Sequence, residues 1–530
     1  MADCDVLVAG AGHNSLVSAA YLAKAGFRVT VLEAEDRIGG DTATDELTLP
    51  GFLHDSCSTA HTLLQSSPTI TRDELRLGDY GLEYIRPDPI VHLPMPDGNA
   101  ITMWRDIDQT CAEFAKYSSA DAASYRAMID AYSEAAGAFT DWRYTPIGWG
   151  PGLDERLAEV PNGHRWQRVR QRAAADIVFE QFEDWRSRAF MMWMALMTMQ
   201  PPQRAATGRL AYALAFGRQR HSWVVPAGGS QALPSALGRL IEDNGGTILT
   251  GERVSRLIVE AGQCVGVETE SGSEFRASRG VLSTIHIKHL VDMAPRDMWA
   301  DSFVHGVDSW QAGISMCAAH YATTEAPTFD GGITPLASGT PTSAERILRV
   351  AEDFKKGEVA LDDPVLLVLC PSVVDRSRAP DGQHTLKVVG VQPYELAVGP
   401  EQWDELMPQV AAANLAHLRT YAPNITDDTI LASSLKSPLD LERMNAHNWH
   451  GSCHGGDMSP DQMGGLRPAP GWSEHRTPIA GLYQTGATTH PGGSVSAGPG
   501  RNAAMVMLAD LGSSLDAAIA PDHPTTLVYK

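Results

Sequence analysis

The first forty residues constrain the fold of this chain more than any other segment. Residues 6–9 form an apolar run typical of a buried strand, glycines follow at positions 10 and 12, and residues 16–25 have the composition of a helix. A second strand is predicted at residues 28–32. This order predicts a βαβ unit, whose glycine-rich turn brings nucleotide phosphates to free N–H groups at the helix N-terminus.

An acidic residue stands at the end of the second predicted strand. Glu33 follows Gly10 by 23 residues, where a carboxylate accepts hydrogen bonds from the ribose of a dinucleotide. The same carboxylate would repel the 2′-phosphate of NADP. Ser15 replaces the third glycine of the usual pattern and is small enough to keep helix and strand in contact. The alternative is an ordinary strand–turn–helix of another parallel sheet.

Two further segments resemble parts of a known family. The arrangement Glu-x3-Arg-x-Gly-Gly at residues 33–40 is similar to the FAD-binding stretch of the amine-oxidase and phytoene-desaturase superfamily. Residues 486–504, from Gly486-x-x-Thr-His-Pro-Gly-Gly to Asn-Ala-Ala, resemble the closing motif of phytoene-dehydrogenase-related flavoproteins. Residues 49–58 and 461–468 most resemble the pyridine-nucleotide-disulfide-oxidoreductase-domain-containing protein 2 branch. Taken alone, each glycine-rich segment could also be a plain surface turn.

The resemblance implies FAD as the cofactor. Reduced flavin carries negative charge, and a helix N-terminus such as that predicted near residue 501 can stabilise it. The family pattern places the backbone of Val254 against adenine. The residues assigned to FAD are Gly10, Gly12, His13, Asn14, Ser15, Glu33, Ala34, Arg37, Gly39, Gly40, Asp41, Thr42, Val254, Thr284, Gly486, Ala487, Ser494 and Val495.

The expected fold is α/β, with a discontinuous Rossmann-type FAD-binding domain and an inserted mixed α+β substrate domain. We assign residues 1–75, 225–300 and 475–515 to the FAD-binding domain, 76–224 and 301–474 to the substrate domain, and 516–530 to a loose tail. Helices are expected within 121–139 and 166–196, and strands at 364–369 and 385–391. The strand-like residues 247–284 either rejoin the FAD-binding domain or form a simple β-meander.

Composition narrows the partners. The net charge of −22 argues against binding to nucleic acid or to anionic lipid. Seven cysteines without a C-x-x-C pair indicate a reducing, cytoplasmic compartment and argue against structural zinc. No apolar run is long enough to span a bilayer. A second complete nucleotide-binding pattern is absent from the sequence, so oxygen, a quinone or a carrier protein is the expected electron acceptor. The oligomeric state stays open.

The residues that would carry catalysis are less defined. In flavin dehydrogenation the cofactor takes the hydride at N5, and the protein orients the substrate and excludes water. His490, in the closing loop, could accept a proton or only brace that loop. His447, His450 and His454 have helix-like spacing, but the neighbouring glycines disfavour a helix, so no metal is predicted. The apolar run 190–199 lines a hydrophobic substrate tunnel or belongs to the core.

Three functional hypotheses follow. The first is an FAD-dependent dehydrogenase, desaturase or oxidase that takes a hydride from a hydrophobic small molecule. The second is an FAD-dependent double-bond isomerase of the carotenoid-isomerase kind. The third is a non-catalytic FAD-bound interaction protein, because neither fold nor cofactor fixes function.

Overall fold

A computed structural model describes residues 3–519 and 523–530. The strands, in chain order, are β1 (Cys4–Ala9), β2 (Val29–Leu32), β3 (Thr44–Asp45), β4 (His54–Asp55), β5 (Glu83–Ile85), β6 (Val91–Pro94), β7 (Ala100–Met103), β8 (Val225–Pro226), β9 (Thr247–Leu249), β10 (Val254–Glu260), β11 (Gln263–Thr269), β12 (Glu274–Ser283), β13 (Ser315–Thr323), β14 (Ala337–Thr340), β15 (Leu366–Leu369), β16 (His384–Gln392), β17 (Ile430–Lys436), β18 (Leu482–Gln484) and β19 (Val528–Tyr529).

The helices are α1 (His13–Lys24), α2 (Pro68–Thr71), α3 (Ile107–Ala115), α4 (Ser119–Arg143), α5 (Leu153–Ala158), α6 (Gly163–Val169), α7 (Ala174–Gln181), α8 (Trp185–Leu196), α9 (Leu210–His221), α10 (Ala232–Asp243), α11 (Ile287–Leu290), α12 (Asp301–Asp308), α13 (Ala344–Phe354), α14 (Trp403–Arg419), α15 (Pro438–Met444) and α16 (Gly498–Asp510). In the described part of the chain, we find no helix with the length and apolarity needed to cross a membrane.

The first sheet is assembled from three distant parts of the chain. Strands β9, β2, β1, β12 and β18 lie side by side and pair in parallel. Val6 and Val8 pack against the helices on one face, while Leu7 and Ala9 pack into the core on the other. Burial on both faces explains why the strand is apolar throughout rather than alternating. The expected α/β fold with a discontinuous Rossmann-type domain is confirmed.

Residues 247–283 combine both structures that the sequence left open. Strands β10, β11 and β12 form an antiparallel meander. The second half of β12 then pairs in parallel with β1 and β18, and β9 pairs with β2. The meander is therefore an extension of the parallel sheet.

The second sheet belongs to the inserted part. Its order is β17-β13-β16-β15-β14-β6-β7, and its pairs are antiparallel except for β14 with β6. The expected strands near 364–369 and 385–391 correspond to β15 and β16. The long helix considered over 166–196 is instead broken into α6, α7 and α8, and the Asp184 side chain caps the last of them by accepting a hydrogen bond from the N–H of Arg186.

The apolar helix α8 lies in the core. Its residues from Ala189 to Leu196 are almost fully buried. The indole Nε1 of Trp193 donates to the carbonyl of Leu366 at 3.0 Å, which anchors the helix on the second sheet. None of its residues lines the large cavity described below, so the structure favours the core interpretation over a substrate tunnel.

The end of the chain is fixed rather than loose. Strand β19 pairs in parallel with β5, and the Lys530 N–H donates to the carbonyl of Tyr84 at 2.7 Å. The Tyr529 hydroxyl donates to Gln65 Oε1 at 2.7 Å. The prolines of the tail stop a helix but do not prevent edge pairing of the last residues. Residues 1–2 and 520–522, including Pro521 and Asp522 of the predicted tail, lie outside the described residues.

A buried ionic cluster ties the closing helix α16 to the N-terminal third of the chain. The carboxylate of Glu74 accepts hydrogen bonds from Arg501 Nε at 2.8 Å and Nη2 at 2.9 Å, and from the Tyr21 hydroxyl at 2.6 Å. The Glu74 and Arg501 side chains are 1% and 8% exposed. Removal of one partner leaves the other charge buried without compensation.

We therefore expect Glu74→Gln to destabilise the protein by about 3–5 kcal/mol, the usual cost of breaking a buried ion pair. The matched control is Asp79→Asn, which breaks the exposed pair Arg76–Asp79 and should cost less than about 1 kcal/mol. Urea unfolding of both variants measures the difference. Equal midpoints for the two variants would contradict a structural role for this cluster.

Candidate active site

The turn between β1 and α1 is shaped by a glycine that the backbone requires. Gly10 has φ +94°, and a Cβ at this position would lie 2.5 Å from Thr284 Cγ2. Ser15 braces the turn, because its hydroxyl donates to the carbonyls of Gly10 at 2.6 Å and Gly12 at 2.9 Å. Helix α1 has no side-chain cap at its N-terminus, so its first N–H groups remain available to an anion.

Gly12 differs from Gly10 in what requires it. Its φ is −67°, an ordinary value, and no protein atom lies within 4 Å of an ideal Cβ. The fold therefore tolerates a side chain here. That space belongs to the cavity at the helix N-terminus, where a Cβ would meet a bound pyrophosphate, so the residues present fit a dinucleotide.

Glu33 sits at the carboxyl end of β2, beside the same turn. Its Oε2 accepts a hydrogen bond from the Ala11 N–H at 2.7 Å, and its Oε1 accepts one from the Glu35 N–H at 3.0 Å. Burial raises the pKa of the Glu33 carboxyl, while these backbone donors act in the opposite direction. A carboxylate has lone pairs left for two ribose hydroxyls, which agrees with the role expected from its spacing.

The second glycine pair lies directly against the first turn. The Gly39 N–H donates to the carbonyl of Ala11 at 2.8 Å, and an ideal Cβ on Gly40 would be 3.5 Å from Gly12 Cα. Gly39 has φ +125° and Gly40 has φ +57°, so both positions favour glycine. Arg37 is held at the rim by an ion pair with Asp45 at 3.1 Å.

The closing motif reaches this place through helix α16. An ideal Cβ on Gly500 would be 2.1 Å from the carbonyl oxygen of Asn14, and Ser18 Oγ donates to the carbonyl of Gly500 at 2.7 Å. This contact of α16 with α1 carries the preceding loop to the nucleotide turn. Gly486 lies against Thr284, whose Oγ1 would be 2.6 Å from its Cβ.

These segments enclose a cavity of about 630 Å³, within the usual range for ligand sites. Of the residues assigned to FAD from sequence, all except Ser15 line it: Gly10, Gly12, His13, Asn14, Glu33, Ala34, Arg37, Gly39, Gly40, Asp41, Thr42, Val254, Thr284, Gly486, Ala487, Ser494 and Val495. Their roles toward the cofactor remain predictions, but the structure brings them together.

His490 does not line the cavity. It is fully buried, its Nε2 lies 3.1 Å from the carbonyl oxygen of Trp142, and its ring packs edge-on against that indole. Burial lowers the pKa of His490 to about 3. A side chain enclosed in this way cannot reach a substrate in the cavity, so the placement favours the loop-bracing role over proton acceptance.

The three histidines with helix-like spacing are separated in space. His447 and His454 line the cavity, whereas His450 does not. His450 has φ +50° and stacks between Tyr394 and Trp449, with Nδ1 3.2 Å from Glu395. The residues described here contain no group of three or more His, Cys, Asp or Glu arranged to hold a metal ion.

Sequence reasoning missed the wall that the inserted part contributes. This wall comes from β13, from the end of α15 and from the loops that follow α15. Its residues are Met316, Met444, Asn445, Ala446, His447, Cys453 and His454. Apart from the closing motif, every nucleotide-binding motif lies far from them along the chain, and only the glycines near 451–456 hinted at a tight loop there.

The fold and this cavity define a two-domain dinucleotide-binding protein. Residues 16–504 match the family described as flavin containing amine oxidoreductase, and the chain belongs to this family. It is an FAD-dependent oxidoreductase, as the sequence predicted. The interpretation as a non-catalytic interaction protein is not needed.

Three relatives cover nearly the whole chain. Pyridine nucleotide-disulfide oxidoreductase domain-containing protein 2 of Mus musculus is 28% identical over 561 residues, covering 96% of this chain and 94% of its own. A component polypeptide of the limonene dehydrogenase of Castellaniella defragrans is 27% identical, with 97% and 96% covered. The neurosporene-forming phytoene desaturase of Cereibacter sphaeroides is 26% identical, with 95% and 94% covered.

Solved structures agree with the fold. Putrescine oxidase, in a triple mutant with redesigned cofactor binding, superposes with a TM-score of 0.62 at 15% identity, covering 96% of this chain and 98% of its own. Cyclohexylamine oxidase from Brevibacterium oxydans gives a TM-score of 0.56 at 16% identity, with 96% and 98% covered.

We expect Gly12→Ala to fold normally and to be purified with little FAD, because its methyl group enters space that only the cofactor would fill. Gly137→Ala is the matched control, since its Cβ also meets no atom within 4 Å but points away from the cavity. The ratio of flavin to protein absorbance measures the loss. Full flavin content in Gly12→Ala would remove this turn from the cofactor site.

We also expect Glu33→Ala to weaken FAD binding by about tenfold to a hundredfold, the value of hydrogen bonds to a charged group. Glu33→Gln should lose less, because it keeps one acceptor oxygen. Glu35→Ala is the control, since Glu35 is exposed and pairs with Arg253 at the rim. Titration of the apoprotein with FAD gives the three affinities, and an unchanged affinity for Glu33→Ala would count against ribose recognition.

Proposed function

We propose that this protein is an FAD-dependent dehydrogenase of an uncharged, apolar small molecule, and that its electrons pass to oxygen, a quinone or a carrier protein. FAD, when bound, supplies the hydride acceptor. The observation that carries the proposal is the chemistry of the cavity wall contributed by the inserted part and by the loop at residues 57–60, here called the chamber wall.

The chamber wall consists of thiol, thioether and methyl groups with one imidazole. Its members are Cys57, Ala60, Met316, Cys453 and His454. Burial raises the pKa of Cys57 well above its usual value and that of Cys453 to about 12, so both thiols stay protonated. Burial also lowers the pKa of His454 to about 4. At neutral pH these side chains carry no charge, which suits an apolar ligand.

The acidic residues of the cavity do not offer a free counter-ion for an amine at this wall. Asp41 lies nearest, but its Oδ1 already accepts hydrogen bonds from the amides of Asn445 at 2.9 Å and Asn448 at 3.0 Å. Glu33 and Glu35 belong to the nucleotide end. A protonated amine would therefore lose its hydration without a dedicated partner.

The relatives support the same choice. Limonene and phytoene, which two of the sequence relatives are named for, are hydrocarbons. The amine oxidases are similar only in fold, at 15–16% identity. Dehydrogenation of a hydrocarbon removes a hydride from one carbon and a proton from its neighbour, so a proton acceptor is required. His454 is neutral, lines the chamber wall and takes this role in our proposal.

The experiment is an anaerobic screen in which substrates bleach the visible absorbance of the holoenzyme. Terpenes and other apolar compounds should bleach it, and added oxygen, quinone or carrier protein should restore the colour. Bleaching by protonated amines alone would contradict the proposal. Product formed anaerobically without any acceptor and without lasting bleaching would instead favour the double-bond isomerase.

We expect His454→Gln to lower kcat by about 10²–10⁴-fold, the usual contribution of a positioned base. Since a base must be unprotonated, the wild-type rate should stay level from neutral pH downward and fall as pH drops through about 4. His417→Gln is the control, because it changes a partly buried histidine of α14 that does not line the cavity. Equal rates for both variants would exclude His454 as the acceptor.

A further inference from the structure

The inserted part sends one short segment across the nucleotide turn. Residues 444–447 line the cavity, and Asn448 continues the chain; residues 444–448 are here called the strap. The Asn445 amide nitrogen would be 3.6 Å from an ideal Cβ on Gly40, which itself would be 3.5 Å from Gly12 Cα. The strap therefore lies over the two glycine turns that face the pyrophosphate position.

One carboxylate fastens the strap. Asp41 Oδ1 accepts hydrogen bonds from Asn445 Nδ2 at 2.9 Å and from Asn448 Nδ2 at 3.0 Å. Asn448 is fully buried, and its Nδ2 is also 3.3 Å from the carbonyl of Leu441. Burial raises the pKa of the Asp41 carboxyl, while the two amides act against this. Both amides come from the inserted part, and the carboxylate comes from the nucleotide-binding loop.

The strap also presents an acceptor to the cavity. The carbonyl of Thr284 can only accept, so its 2.9 Å contact with His447 Nδ1 requires the proton on Nδ1 and leaves Nε2 as an acceptor. Burial lowers the pKa of His447 to about 4, so the ring is neutral at pH 7. Among the described residues none donates to this Nε2.

The position of Nε2 selects the group it can meet. It would lie 3.0 Å from an ideal Cβ on Gly455, and that same Cβ would be 2.8 Å from Ala487 Cβ. His447 Cε1 is 3.3 Å from the corresponding point on Gly486. The ring therefore stands between the nucleotide turn and the closing loop. A neutral acceptor between these two places suits a hydroxyl donor, not a phosphate oxygen.

We propose that residues 444–448 are a cofactor-retaining strap, locked by the Asp41–Asn445–Asn448 hydrogen bonds, whose His447 Nε2 accepts a hydrogen bond from a hydroxyl of the ribityl chain of FAD. The proposal rests on the FAD-binding cavity but not on the substrate. FAD leaves only when the amide contacts with Asp41 open. The strap is thus a positioning element for the cofactor and a barrier to its release.

The test is the rate of FAD release from the oxidised holoenzyme, followed as the rise of free-flavin fluorescence after dilution. Asn445→Ala/Asn448→Ala should release FAD at least about tenfold faster, because two hydrogen bonds to a carboxylate are lost. The matched control is Asn424→Ala, which removes a loop amide that donates to Glu325 at 3.0 Å and to the carbonyl of Ala326 at 2.9 Å, away from the cavity. It should release FAD at the wild-type rate.

A second pair of variants keeps the test independent of folding. His447→Leu removes the acceptor and should speed release severalfold, whereas His447→Gln restores an acceptor and should release FAD more slowly than His447→Leu. Thermal unfolding of the apoproteins separates retention from general destabilisation. Wild-type release in the double variant, or equal release in both His447 variants, would overturn the proposal. Either result leaves the proposed dehydrogenation intact, because no substrate is present in this experiment.

Discussion

The backbone contact between the first turns of α1 and α16 holds the whole arrangement together. Gly500 comes so close to the carbonyl of Asn14 that a Cβ would lie 2.1 Å from it, and no other residue type fits there. This contact joins segments almost five hundred residues apart. It sets Gly486 and Ser494 opposite Gly12, and without it the cavity would lose one wall. The Glu74–Arg501 pair supports the same junction from the buried side.

The cavity depends equally on the inserted part of the chain. The nucleotide-binding loops alone would leave a groove open toward the second sheet. Met316, Cys453 and His454 close it with uncharged groups, and the strap crosses the glycine turns. The two sheets therefore divide the work: one presents backbone N–H groups and a carboxylate, and the other supplies a neutral, water-excluding wall. This division explains how one family can keep its cofactor while its substrates differ.

The sequence predicted the nucleotide half well, because its physical requirements are local. Glycine at positions 10 and 39 follows from positive φ values, and the spacing of Glu33 follows from one strand–helix–strand unit. The inserted half has no such local signature. The run at 190–199 has the same composition whether it lines a tunnel or fills a core, and its burial against Leu366 depends on a strand far along the chain. His490 was misleading, since a glycine-rich loop can expose or enclose a histidine. Asn445 and Asn448 are ordinary in sequence and acquire meaning only from their contact with Asp41.

The central claim is that the two ends of the chain enclose one FAD molecule. Equilibrium titration of the apoprotein with FAD, read by quenching of flavin fluorescence and by the visible spectrum of the complex, tests it directly. The account predicts saturation at one FAD per chain and a yellow complex. A protein that stays colourless at saturating FAD, with no quenching, would contradict it.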